Sequence, residues 1–219
     1  MKYPLIVFDW DGTLMDSTGR IVSAMQRSAR NVGLDVPSAE AVRSIIGLSL
    51  TRCYDLLFPG VGGDDLERLT REYRFQYIEG DPTPTPLFGN SLAVLEDLKT
   101  QGYQLAVATG KARAGLDRVM SASGTGHLFD DSCCADEAES KPHPEMLEKI
   151  CQRLRRHPRE ALMIGDTTFD LEMAANAKMG SLGVSYGAHG REQLVACNPL
   201  SILDDIGDLP RWLDQPLVA

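Results

Sequence analysis

The stretch FDWDGTLMDS, residues 8–17, places two carboxylates, Asp9 and Asp11, at the mouth of the first hydrophobic run, LIVF at 5–8. Aspartate is a poor strand former, and like charges this close repel one another. Something elsewhere in the chain must offset that conflict. Extended backbone puts residues i and i+2 on the same side, so both carboxylates can face one site. Gly12 allows a sharp turn directly after them.

Working outward, short β-branched and apolar runs recur at 5–9, 104–109 (QLAVAT), 161–166 (ALMIGD), 181–185 (SLGVS) and 201–205 (SILDD). SCCA at 132–135 is a further short candidate. Helical spacing fills most of the intervals, with Leu92, Leu95 and Leu98 on one stripe and Met146 or Leu147, Ile150 and Leu154 on another. Near-continuous apolar strands alternating with amphipathic helices predict a parallel sheet covered on both faces. Residues 18–80 break the pattern. Ile21, Met25, Ala29 and Val32 share a helical face that Gly33 is placed to end, and Leu66, Leu69, Tyr73 and Tyr77 form a second stripe. The repeated prolines of DPTPTPLFG (81–89) read as a stiff extended connector. The expected fold is α/β: a Rossmann-like parallel-sheet core, 1–17 and 85–219, with a small all-helical domain, 18–84, inserted after the first strand.

Composition narrows the function. The 219 residues carry a net charge of −9, which disfavours nucleic acid and anionic membranes as partners. LIVF is too short for a signal-peptide core or a membrane span. The five cysteines are odd in number, and the adjacent pair Cys133–Cys134 lacks CxxC spacing. Reduced thiols in a cytoplasmic protein, monomeric or homodimeric, are the expectation.

In an open parallel sheet, ligands gather outside the carboxyl ends of the strands. Asp9 and Asp11 follow the first strand, and Thr109, Gly110 and Lys111 follow QLAVA. Lys141 stands in ESKPHP, and Asp166 and Asp170 stand in GDTTFD after ALMI. Acids, a hydroxyl and a lysine converging on one sheet edge suit a hard divalent cation and a phosphoryl group.

These four motifs, DWDGTL, ATGK, KPHP and GDTTFD, stand in the order and near the spacing of one family. The chain resembles the haloacid dehalogenase superfamily, and within it the phosphatases similar to phosphoglycolate phosphatase. The resemblance spans almost the whole chain, and the helical insert looks like that family's cap. It implies an Mg²⁺-dependent phosphatase acting on a small phosphorylated metabolite. Asp9 would be the nucleophile and form an aspartyl-phosphate; Asp11 would be the general acid, then the base. Mg²⁺ would be held by the Asp9 carboxylate, the Asp11 carbonyl and Asp166, with Asp170 assisting through water or orienting Lys141. Thr109 and the backbone around Gly110 would bind phosphoryl oxygens, with Lys141 neutralising charge.

Other readings compete with these. Asp16, Asp130 and Asp131 suit turns or caps, Asp170 suits a helix first turn, and Trp10 suits packing. His143 is the variable residue of its motif and has no visible partner. A dehalogenase would lack the second aspartate. A sugar phosphomutase similar to β-phosphoglucomutase shares all four motifs but carries an arginine in a G-x-S-R cap loop; here the loop is GLSL (47–50), with Arg52 two residues on. A non-catalytic member would have lost a nucleophile or ligand, and this chain keeps the full set.

Overall fold

In a computed structural model, which describes residues 2–215, the strands are β1 (Leu5–Phe8), β2 (Gln104–Thr109), β3 (Asp131–Cys134), β4 (Ala161–Gly165), β5 (Gly180–Val184) and β6 (Ser201–Leu203). All pair in parallel in the order β3-β2-β1-β4-β5-β6. The chain winds outward from β1 in one direction and then, from β4, in the other, so the topological switch lies between β1 and β4. The central strands β1 and β4 are apolar throughout because both their faces are covered. Ile6 and Phe8 join one core with Val94, Leu95 and Leu98; Leu5 and Val7 join the other with Met146, Leu147 and Ile150.

Helices α1 (Thr18–Val32), α2 (Ala39–Arg43), α3 (Leu50–Leu57) and α4 (Gly63–Phe75) lie between β1 and β2 in sequence. They pack around a separate cluster of Val22, Met25, Ala29, Val42, Tyr54, Phe58 and Leu69. Gly33 ends α1 with φ 81° and donates its N–H to the carbonyls of Ala29 and Arg30, a left-handed cap that glycine adopts without a Cβ penalty. A π-helical turn, Gln76–Gly80, follows α4. The outgoing and returning strands of the insert run side by side at its base: Asp16 N–H donates to Pro86 O at 2.8 Å and Phe88 N–H to Leu14 O at 3.0 Å. Arg20 adds a 2.6 Å bond from Nε to the Thr83 carbonyl.

The remaining helices are α5 (Ser91–Thr100), α6 (Arg113–Ser123), α7 (Glu145–Leu154), α8 (Thr168–Asn176), α9 (Arg191–Ala196) and α10 (Leu209–Leu213). One stripe assignment is corrected: Leu92 is exposed and Val94 takes its place beside Leu95 and Leu98. Leu154 packs, partly buried, against the core of Met146, Leu147 and Ile150, and Cys151 widens that face beyond a strict three-residue repeat. The strand predicted to 205 stops at Leu203, because Asp205 turns to accept the Gly207 N–H. No described helix is long and apolar enough to cross a membrane.

Candidate active site

β1 and β4 are in register with Phe8 opposite Ile164, and the Asp9 N–H extends the ladder by one bond, 2.9 Å to the Ile164 carbonyl. Asp9 and Asp166 are thereby set side by side where the two strands end, at the switch point. Gly12 then turns the chain with φ 81°, and a Cβ there would lie 2.2 Å from Asp166 Oδ2. Only glycine lets the loop close onto that carboxylate. α8 supplies Asp170 as the third residue of its first turn, in a capping box with Thr167. Lys141 arrives from the loop after β3.

One oxygen each of Asp9, Asp166 and Asp170 lies within 4.8 Å of the others, and all three side chains are buried. Lys141 Nζ donates to Asp9 Oδ1 at 2.7 Å and to Asp170 Oδ1 at 2.6 Å. The other Asp170 oxygen accepts from the Thr167 hydroxyl at 2.7 Å. Asp166 accepts from the Thr13 hydroxyl at 2.9 Å and the Ala188 N–H at 2.7 Å. Asp9 Oδ2 is buried with no protein partner. Three ionised carboxylates against one ammonium would leave two uncompensated charges in a buried site, a cost of several kcal/mol per ion by general estimates of buried charge. The orphaned Asp9 oxygen and this charge balance both fit a hard divalent cation.

Burial pushes the Asp9 carboxyl well above the usual aspartate range; Lys141 opposes this, and Asp170 and Asp166 add to it. Asp166 is pushed up to about 7, by burial first and by Asp170 second. Lys141 is held above the ordinary lysine value, since Asp170 and Asp9 outweigh the burial that opposes its charge. A carboxyl with a raised folded-state pKa favours the fold only when protonated. Metal-free protein should therefore gain thermal stability as pH falls from 8 through 7 toward 5. A divalent cation should take over from the protons and raise the melting temperature more at pH 8 than at pH 6. Thermal unfolding with chelator and with cation checks this; a cation increment that is equal or smaller at pH 8 would contradict it.

The structure puts Lys141 in direct contact with Asp9 and Asp170, and Asp166 within 4.8 Å of both acids. Asp11 stands apart from the acid cluster: its Oδ1 accepts from the Ser17 hydroxyl at 2.5 Å and pairs with Lys111 Nζ at 3.0 Å. The Thr109 hydroxyl accepts the Lys111 N–H at 3.2 Å, and Gly110 lies under the insert, where a Cβ would be 2.5 Å from the Leu48 carbonyl. The insert covers the site through this loop. Ser49 N–H donates to the Ser140 hydroxyl at 2.9 Å, and Ile45, Leu48 and Cys53 pack on Phe169 of α8.

Several other residues fall into place. Trp10 is fully buried in the core, tilted against Phe129. His143 is exposed, with Nδ1 accepting the Glu145 N–H. Asp130 accepts the Leu105 N–H and pairs with Lys99, while Asp131 pairs with Arg153. Sequence reasoning gave no site role to Thr13, Ser17 or Thr167, and read Tyr77 only as part of a helical stripe. Thr13 directly follows the paired aspartates and was the most legible of the four; Tyr77 depends on how the insert seats, which no local pattern encodes.

Comparison with known proteins follows the same lines. Residues 6–184 match the family model described as haloacid dehalogenase-like hydrolase. A Dickeya dadantii protein named "Probable phosphatase IndB" is 36% identical, over 94% of this chain and 91% of its own. Pyrophosphatase PpaX of Bacillus cereus is 33% identical, over 95% of each. The crystal structure of a predicted phosphoglycolate phosphatase from Haemophilus somnus superposes with a TM-score of 0.88 at 28% identity, covering 98% of this chain and 99% of that one.

Proposed function

Since the chain belongs to the haloacid dehalogenase-like hydrolases and is a hydrolase of phosphate esters, we propose that it is an Mg²⁺-dependent phosphatase of small phosphomonoesters, similar to phosphoglycolate phosphatase, working through an aspartyl-phosphate on Asp9. The observation that carries this reading is the buried Asp9 Oδ2, without a protein partner, beside Asp166 in a cluster short of positive charge.

Asp9 and Asp166, with the Asp11 carbonyl, would hold Mg²⁺, which when bound polarises the phosphoryl group and shields it from the carboxylates. Asp170 would serve chiefly to orient Lys141, since its two oxygens are taken by Lys141 and Thr167. Asp9 attacks phosphorus, and the bond to the leaving oxygen breaks as Asp11 protonates that oxygen. Asp11 then takes a proton from the water that cleaves the aspartyl-phosphate. Lys141, the Thr109 hydroxyl and the Gly110 backbone neutralise and position the phosphoryl oxygens. Asp9 and Lys141 are 1% and 2% exposed, so substrate entry requires the 45–49 loop to lift away. The helical insert, 18–84, would act as a cap pivoting where its two crossings meet the core at Asp16–Gly19 and Asp81–Pro86.

A phosphomutase reading finds no support in the insert. Leu50 packs against the insert's own core, and Arg52 faces solvent, 3.9 Å from Asp55. Neither offers a cation to a distal phosphate.

The test is hydrolysis of p-nitrophenyl phosphate. Activity should require Mg²⁺, disappear in excess chelator, and be inhibited by Ca²⁺, whose larger and looser coordination sphere disturbs in-line attack. Full activity in chelator would overturn the metal assignment.

A further inference from the structure

Lys111 is a largely covered cation, its side chain 11% exposed, that the mechanism above leaves unused. Its Nζ lies 3.0 Å from Asp11 Oδ1 and 2.9 Å from the Tyr77 hydroxyl, and 4.6 Å from the Tyr77 ring centroid. Tyr77 belongs to the insert: it sits on the π-helical turn after α4, its ring tilted against Tyr73 with centroids 6.0 Å apart. Such turns break helical register and recur at functional positions. Ser17 and Lys111 both contact Oδ1 of Asp11, and among the described residues no protein donor contacts Oδ2. One carboxylate oxygen is therefore fixed on two sides, which sets the direction in which the other points.

We propose that Lys111, itself held by the Tyr77 hydroxyl of the insert, is the positioning residue that fixes Asp11 for proton transfer, so that seating the insert completes the acid/base. The inference rests on the assignment of Asp11 as acid/base. Lys111 touches neither the phosphoryl group nor the proton in flight. It fixes the carboxylate that does, through a bidirectional grip with Ser17. With the insert lifted, Tyr77 leaves and the Lys111 ammonium loses one of its two partners, so Asp11 is held by fewer contacts in the open form.

Because the role runs through Asp11, its signature is a dependence on the leaving group. Lys111→Met should slow hydrolysis of an alkyl phosphate such as phosphoglycolate by about ten- to a hundredfold, part of the 10²–10⁴ typical of acid–base catalysis. The burst of p-nitrophenolate from p-nitrophenyl phosphate should change by only a few-fold, since that leaving group needs no proton, while later steady-state turnover slows. Tyr77→Phe, which removes one hydroxyl and serves also if Lys111→Met fails to fold, should show the same split with a smaller loss. In an Asp11→Asn background, Lys111→Met should add little, because residues acting as a unit are non-additive. If Asp11→Asn shows the leaving-group split but the Lys111 and Tyr77 variants lose equally on both substrates, or add fully to Asp11→Asn, the positioning role is overturned and the acid/base assignment stands. If Asp11→Asn itself shows no split, that assignment falls and the inference with it.

Discussion

Asp9→Asn is expected to reduce phosphate-ester hydrolysis to background, a loss of about 10⁴-fold or more, as for removal of other covalent nucleophiles. The amide is nearly isosteric but has no charge to attack phosphorus. It also takes away one of three crowded carboxylates, while Lys141 keeps its partner Asp170 at 2.6 Å. The variant should therefore fold, and its melting temperature in chelator should equal or exceed that of the parent, because burial opposes the ionisation of the side chain removed. Turnover and thermal unfolding measured on the same preparation separate lost chemistry from lost structure. Turnover above a tenth of the parent's would place the nucleophile elsewhere.

Asp11→Asn should have the second largest effect, with a different shape. Its side chain lies outside the acid cluster, on Ser17 and Lys111, so cation binding should persist. Hydrolysis of alkyl phosphates should fall by about 10²–10⁴-fold, the usual worth of general acid–base catalysis. The first step with p-nitrophenyl phosphate should fall much less, because the nitrophenolate departs without protonation. Breakdown of the intermediate lacks its base in either case and should become rate-limiting. Equal losses for good and poor leaving groups would remove Asp11 from the proton-transfer role.

Much of this site was legible because its chemistry is written in local signals. Two acids two residues apart at the end of an apolar run contradict strand propensity, and a parallel sheet offers one edge where such exceptions meet. Asp166 and Lys141 were placed there by the same reasoning; Lys141 touches Asp9 and Asp170, and Asp166 lies within 4.8 Å of both acids. The central strands were read closely since β1 and β4 are apolar on both faces. Leu92 was misread because spacing alone cannot tell which of two apolar residues two positions apart, Leu92 or Val94, turns inward; packing against the sheet decides it. The Lys111–Tyr77 contact was not legible at all. It joins residues 34 apart on two differently packed units, through a π-helical turn that no periodicity marks. Asp170 carried three readings: a first-turn helix acid, an aid to the cation through water, and a partner of Lys141. The first and third are compatible in its geometry, with one oxygen on Thr167 and the other on Lys141.

The central claim is that phosphate passes through Asp9, and the most direct measurement is mass spectrometry of Asp11→Asn protein, acid-quenched during turnover with Mg²⁺ and p-nitrophenyl phosphate. With formation of the intermediate largely spared and its hydrolysis slowed, a phosphoryl group should accumulate on the peptide containing residues 8–17, localised to Asp9, and be absent from the Asp9→Asn, Asp11→Asn double variant. Phosphate on any other residue, or an unmodified peptide from protein that is visibly turning over, would contradict the account.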